Sequence, residues 1–242
     1  MKNIILLSAV VLTLTLVAFD APKDDINIRG NGNVLTTSRA VSPFSELEID
    51  GVFNIYLLQG DQEMVKVETD ENLQDVVIVK NKDNTLKIKT KDDFNIKHST
   101  KSNIYITLKS ITRLEVNSVG KTECRDELKL DRLSLEINSV GKTYLKLDCN
   151  QLNAEVNAVG SLVMEGRAKS ANIEHTGVGS MNAYDFNVAY LSLEHSGIGS
   201  VEAYASKELS ISSDGIGSVK YKGPAEVTKL ETSGIGSVKK VD

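Results

Sequence analysis

Asn117-Ser118-Val119-Gly120-Lys121 recurs as Asn138-Ser139-Val140-Gly141-Lys142 and again as Asn157-Ala158-Val159-Gly160-Ser161. Farther on the phrase becomes G-[VI]-G-S, at Gly177–Ser180, Gly197–Ser200, Gly215–Ser218 and Gly234–Ser237. Between the central glycines Gly120, Gly141, Gly160, Gly179, Gly199, Gly217 and Gly236, the steps are 21, 19, 19, 20, 18 and 19 residues. A period of that size over seven copies marks a stacked repeat, in which each unit buries its apolar face only against its neighbours.

The phase of each copy gives the local structure. Six residues before the glycine stand Leu114, Leu135, Ala154, Ile173, Leu193, Ile211 and Leu230. Five before stand Glu115, Glu136, Glu155, Glu174 and Glu194, then Ser212 and Glu231; four before stand Val116, Ile137, Val156, His175, His195, Ser213 and Thr232. Inward, outward, inward is the period of a strand, with the glutamates facing solvent. The small residue two before the glycine, and the glycine itself, suit a tight corner. The Val or Ile between them is expected to point inward. A second strand begins two residues after the glycine, at Thr122, Thr143, Leu162, Met181, Val201, Val219 and Val238. No helical period interrupts the pattern. The fold expected is all-β, a right-handed parallel β-helix (solenoid) of coils of about 19–20 residues, because parallel crossovers almost always wind that way.

Upstream the phrase is degenerate or missing. Leu47-Glu48-Ile49-Asp50-Gly51-Val52-Phe53 aligns with Leu114 to Gly120, Phe53 taking the glycine position, and Gly30-Asn31-Gly32-Asn33-Val34 echoes the later G-I-G-S-V. Both are read as early coils. From Gln59 to Lys109 plain alternation takes over, in Val65/Val67, Val76/Ile78, Leu86/Ile88 and Ile104/Ile106/Leu108, with polar turns between. The lysine- and aspartate-rich stretch from Lys80 to Lys101 reads as a solvated hairpin surface, and His98 within it carries no site. The division expected is a signal peptide at 1–19, an N-terminal β region with degenerate coils at 20–110, and regular repeats at 111–242.

Composition fits. The chain is 40% hydrophobic but has 7 Tyr, 5 Phe and no Trp, so its core is aliphatic. A formal net charge of −5 argues against nucleic acid or an anionic membrane surface as partner. Lys2 followed by the apolar run Ile4–Val17, with Ala18 and Ala21 as cleavage choices, reads as a secretory signal too short to be a spanning helix. Export to the periplasm, the outer-membrane surface or the medium follows, with no transmembrane span after cleavage. Cys124 and Cys149 differ in phase, which separates them by roughly 13 Å along the strand against a disulfide reach of ~7 Å. Two unpaired, buried thiols are expected.

The order G-x-G-N-V, then LEIDGVFNIYLLQGD at Leu47–Asp61, then VKVETDENL at Val65–Leu73, then serial G-I-G-S phrases resembles the head GIN domain proteins, a domain of unknown function labelled as an auto-transporter adhesin. The resemblance spans roughly residues 26–238. It implies an exported β-helical protein and carries no catalytic residues over.

Candidate chemistry is sparse. Stacking sets Glu115, Glu136, Glu155, Glu174 and Glu194 about 5 Å apart, where like charges repel by roughly 1 kcal/mol per pair even in water. Beside them Asn117, Asn138, Asn157, Thr176 and Ser196 offer oxygen ligands, so the row is a candidate for weak Ca²⁺ binding; a solvated face with its side chains fanned apart is the preferred reading. His175 and His195 share a phase and are either a two-imidazole metal pair or, as preferred, a polar ladder inside the coil. The seven glycines are read as structural corners. They lack the Asp of the nonapeptide calcium repeat, and the two Gly-Lys-Thr sequences lack the spacing of a phosphate loop.

The function expected is an exported, non-catalytic envelope or surface protein, an adhesin or ligand-binding solenoid, with a glycan or surface protein as partner and no cofactor. Self-association through the last coil, Val238-Lys239-Lys240-Val241-Asp242, is a further expectation. The alternative is a carbohydrate-active β-helix enzyme of the pectinase-like lyase or hydrolase kind. Against it, Arg113, Arg125, Arg132 and Arg167 are scattered, only Tyr184 and Tyr204 share a phase as sugar-stacking aromatics, and no acid, base and nucleophile assemble.

Overall fold

A computed structural model describes residues 25–242, so the signal segment read at 1–19 lies outside the described residues. The chain is almost entirely β. Its strands are β1 (Ile26–Arg29), β2 (Val34–Arg39), β3 (Glu46–Gly51), β4 (Asn54–Gln59), β5 (Met64–Asp70), β6 (Val77–Lys82), β7 (Thr85–Thr90), β8 (Phe94–His98) and β9 (Ser102–Leu108). The long winding segments β10 (Arg113–Val156), β11 (Val159–His175), β12 (Val178–His195) and β13 (Ile198–Ser213) follow, then β14 (Ile216–Lys222), β15 (Glu226–Thr232) and β16 (Ile235–Lys240).

From β10 onward each segment pairs in parallel with the next, one repeat ahead. Gly141 lies beside Gly160, Gly160 beside Gly179, then Gly199, Gly217 and Gly236, all in register. The result is a β-solenoid of about five turns, set on an irregular N-terminal sheet region. Leu114, Val116 and Ser118 face inward with no more than 5% exposure, and the second strand begins inside with Thr122, Leu162, Met181 and Val201. The interior is aliphatic, as the scarcity of aromatics requires.

The N-terminal region prolongs the stack before closing it. β3 lies under the first coil, Leu47 beside Leu114 and Gly51 beside Ser118, and Ile55 of β4 lies beside Thr122. A layer lower, β7 and β9 pair in parallel with β3 and β4. Antiparallel strands then take over, β6 on β7 and β5 on β9, with β2 outermost on β5. The direction change ends the stack, since a strand running backwards cannot start another coil.

The Gly30–Val34 phrase is not a coil. It links β1, which pairs with β8, to β2, which pairs antiparallel with β5. The buried carboxylate of Asp70 holds it there, accepting hydrogen bonds from the Gly32 amide (2.7 Å), the Thr100 amide (2.7 Å) and the Thr100 hydroxyl (2.8 Å). Burial alone would push this carboxyl up; the hydrogen bonds from Thr100 and Gly32 outweigh it and hold it below the usual range. Because the folded state prefers the ionised form, this contribution is complete above about pH 4 and is lost as pH falls through the depressed value. Asp70→Asn is expected to destabilise the protein by about 2 kcal/mol, since an amide NH₂ then faces a buried donor. Urea unfolding checks it, together with faster amide exchange across β1 and β2.

Candidate binding surfaces

Strand alternation and the corner geometry fix what the solenoid shows to solvent. The alternation that buries Leu114, Val116 and Ser118 continues to the corner, so Val119 faces out. This corrects the expectation that the corner Val and Ile point inward. The inward place belongs to the small residue before them, Ser118, Ser139 or Ala158, at 5–6% exposure. The turn itself is made by the glycine, whose φ lies between +138° and +146° in the copies from Gly120 to Gly217.

An apolar ladder results. Val119, Val140, Val159, Val178, Ile198 and Ile216 are each about half exposed, and Ile235 is 76% exposed. Those from Val140 to Ile235 stand in register. Val52, 57% exposed, holds the same position one layer below Val119. Eight rungs at ~4.8 Å make a strip about 34 Å long. Its flanks are mixed, with Asn117, Asn138 and Asn157 between Asp50 and Asp214 on one side, and Lys121 and Lys142 followed by Ser161, Ser180 and Ser200 on the other.

The glutamate row stacks as its phase requires. Glu48 pairs in register with Glu115 and forms an ion pair with Lys87. Arg113 bridges Glu115 (2.7 Å) and Glu136 (3.3 Å), and the amides of Asn117 and Asn138 donate to these two carboxylates at 2.7 and 3.0 Å. Glu155, Glu174 and Glu194 are exposed. Cations of the chain, amide donors and solvent thus ease the repulsion. Among the described residues no three His, Cys, Asp or Glu side chains converge as ligands.

His175 and His195 lie inside the coil, each 2% exposed, with their Nδ1 atoms 3.1 Å apart. Burial pushes His175 down to about 4, helped by the neighbouring imidazole, and burial lowers His195 as well. Cys124 and Cys149 are free and buried, their thiols pushed up by burial to about 12 and about 11, which leaves them unreactive.

The arginines do not gather. Arg113 serves the glutamate row, Arg125 pairs with Glu123, and Arg167 grips Asp148 at 2.6 Å. Tyr184 and Tyr204 fall out of register, because an irregularity between Ala183 and Asn187 sets Tyr204 beside Asn187.

Residues 43–225 match the protein family described as "Putative auto-transporter adhesin, head GIN domain". A solved "putative adhesin" of Bacteroides fragilis NCTC 9343 is 26% identical, covers 88% of this chain and 100% of its own, and superposes with a TM-score of 0.85. A "Putative lipid binding protein" of Parabacteroides distasonis ATCC 8503 is 24% identical over 90% of this chain and 100% of its own, with a TM-score of 0.69. A "putative adhesin" of the same organism is 24% identical over 89% and 100%, with a TM-score of 0.63. At that identity the last two speak for the fold alone. No curated protein matches.

Proposed function

This chain belongs to the head GIN domain family of auto-transporter adhesin type, and from that premise we propose that it is an exported, non-catalytic binding module of the cell envelope or cell surface. The observation that carries the reading is the ladder from Val52 to Ile235, an exposed apolar strip running the length of the solenoid. Large aliphatic side chains placed outward at every turn cost solubility and add little to the core, so they mark a contact face. The strip is rigid, because its rungs are fixed by strand pairing with the neighbouring turns. It suits a protein surface with an apolar patch of its own, which could be gripped through many equivalent contacts. The N-terminal apolar run from Ile4 to Val17 supports export, and no helix among the described residues is long and apolar enough to cross a membrane. The catalytic alternative gains no support from Arg113 and Arg167, which are taken up by separate carboxylates far apart on the solenoid surface.

Changing Val159, Val178 and Ile198 together to Thr tests the reading. Threonine keeps the β-branched shape and removes the apolar surface. The triple variant is expected to keep its unfolding midpoint, each exposed change being worth within about 0.5 kcal/mol. Adherence of protein-coated beads to intact cells and to immobilised cell-surface proteins should fall at least about tenfold. Undiminished adherence by the folded variant would remove the ladder from the account.

A further inference from the structure

Where the regular coils meet the N-terminal layers, one outward column departs from the uniform rows. Tyr105 of β9 stands beside Tyr56 of β4, and Tyr56 beside Glu123 of the first coil. The two rings are stacked, with centroids 4.8 Å apart and planes 14° from parallel. The Lys121 ammonium caps Tyr56 at 4.8 Å, and the Tyr105 hydroxyl donates to Glu68 at 2.9 Å. Both rings are therefore held in place before any ligand arrives.

Charged groups beside them are held as firmly. Glu123 is buried and pairs with both Lys121 and Arg125. The Arg125 guanidinium also lies 5.6 Å from the Tyr144 ring, yet its side chain remains 78% exposed. It is an oriented donor facing solvent. Together Tyr56, Leu58, Tyr105, Glu123, Arg125 and Asp126 line an open cleft of about 450 Å³. A second depression of about 390 Å³ shares Leu58 and Tyr105 and adds Lys66 and Thr107. Leu58, 39% exposed, is the saddle between them.

We propose that this double cleft binds a neutral oligosaccharide lying across Leu58, with consecutive sugar residues in the two depressions. Sugars present an apolar C–H face and a rim of hydroxyls. Leu58 and the side of the Tyr105 ring turned away from Tyr56 match the face, with Tyr56 backing that ring, while Arg125, Asp126 and Lys66 match the rim. The lining charges balance, Arg125 and Lys66 against Glu123 and Asp126, so the cleft has no net attraction for an anionic or cationic chain. The rings are already ordered, so binding does not have to immobilise them. The site is separate from the corner ladder and does not depend on it.

Titration of the protein with chitotetraose, cellotetraose, xylotetraose, mannotetraose and maltotetraose tests this, with oligogalacturonate as the acidic comparison. Tyrosine fluorescence is a direct readout, because the chain has no Trp. At least one neutral tetrasaccharide is expected to bind with a Kd below about 5 mM. Tyr105→Ala should weaken it at least about tenfold, as truncation of a central aromatic does. Leu58→Glu, at an exposed position that leaves the fold intact, should abolish it. The Val159, Val178 and Ile198 triple variant should bind the sugar as the parent does. No binding by any neutral tetrasaccharide, binding of the acidic oligomer alone, or binding unchanged in folded Leu58→Glu would each overturn the proposal.

Discussion

Gly179→Ala is expected to cost the protein about 4 kcal/mol and to uncouple the turns that follow it. Two effects combine. Gly179 has φ +146°, where an L side chain is strained by about 1–3 kcal/mol. An added Cβ would also stand 1.9 Å from the carbonyl oxygen of Gly160 in the turn below and 2.8 Å from its carbon. These are backbone atoms engaged in the ladder and cannot swing aside, so overpacking adds another 1–3 kcal/mol or so. Gly32 is the control. Its φ is +85° with nothing within 4 Å of the added carbon, so Gly32→Ala should cost only about 1–2 kcal/mol. Since each turn is stabilised by its neighbours alone, the Gly179 lesion should split the urea transition, with amides of β13 and β14 exchanging first. Equal losses from the two substitutions would show that the glycine column is a matter of local conformation and not of close approach between turns.

The same column explains which features could be read from the sequence. Copies at a fixed phase report local geometry, so the strands, the corner and the glutamate row followed from counting. Even Phe53 in the glycine position could be placed, and the carbonyl of Phe53 does lie under Gly120. Two readings failed for physical reasons. The corner Val and Ile, alike in kind in every copy, read as inward anchors, whereas the alternation running from Leu114 through Ser118 already commits Val119 to the outside. Gly30–Val34 matched a repeat in composition, but its pairing is decided by Asp70 and by antiparallel strands far along the chain. The tyrosine cleft was out of reach for a related reason. Tyr56 and Glu123 share a phase, three residues past Phe53 and Gly120, and could have been stacked on paper. Tyr105 comes from a strand with no trace of the phrase, and nothing in local sequence sets it beside Tyr56.

Acid should loosen the middle of the solenoid well before it reaches the carboxylates. The Nδ1 atoms of His175 and His195, 3.1 Å apart, can share one proton: one ring donates and the other accepts. Charging both would set two N–H groups face to face in an aliphatic interior. Nε2 of His195 makes no hydrogen bond within the protein to offset the cost. The folded state therefore holds His175 down to about 4, against 6.5 for a free imidazole. Between those values the unfolded chain binds more protons than the folded one, so stability falls as pH drops from about 6.5 to about 4 and levels off below. For His175 alone the loss between about pH 7.5 and pH 5 is on the order of 2 kcal/mol, approaching 3 kcal/mol at the lower limit. His195 shifts in the same direction and adds to it. The Asp70 contribution operates lower, below about pH 4, so the two processes separate on the pH axis. In the preceding turns the same column is filled by Val116, Ile137 and Val156, so His175→Val with His195→Val preserves the shape of the interior. Urea unfolding of the double variant at the two pH values should differ by less than about 0.5 kcal/mol, where the parent differs by at least about 2 kcal/mol. An equal slope in both proteins would place the acid sensitivity outside the pair and leave the histidines as a packing solution alone.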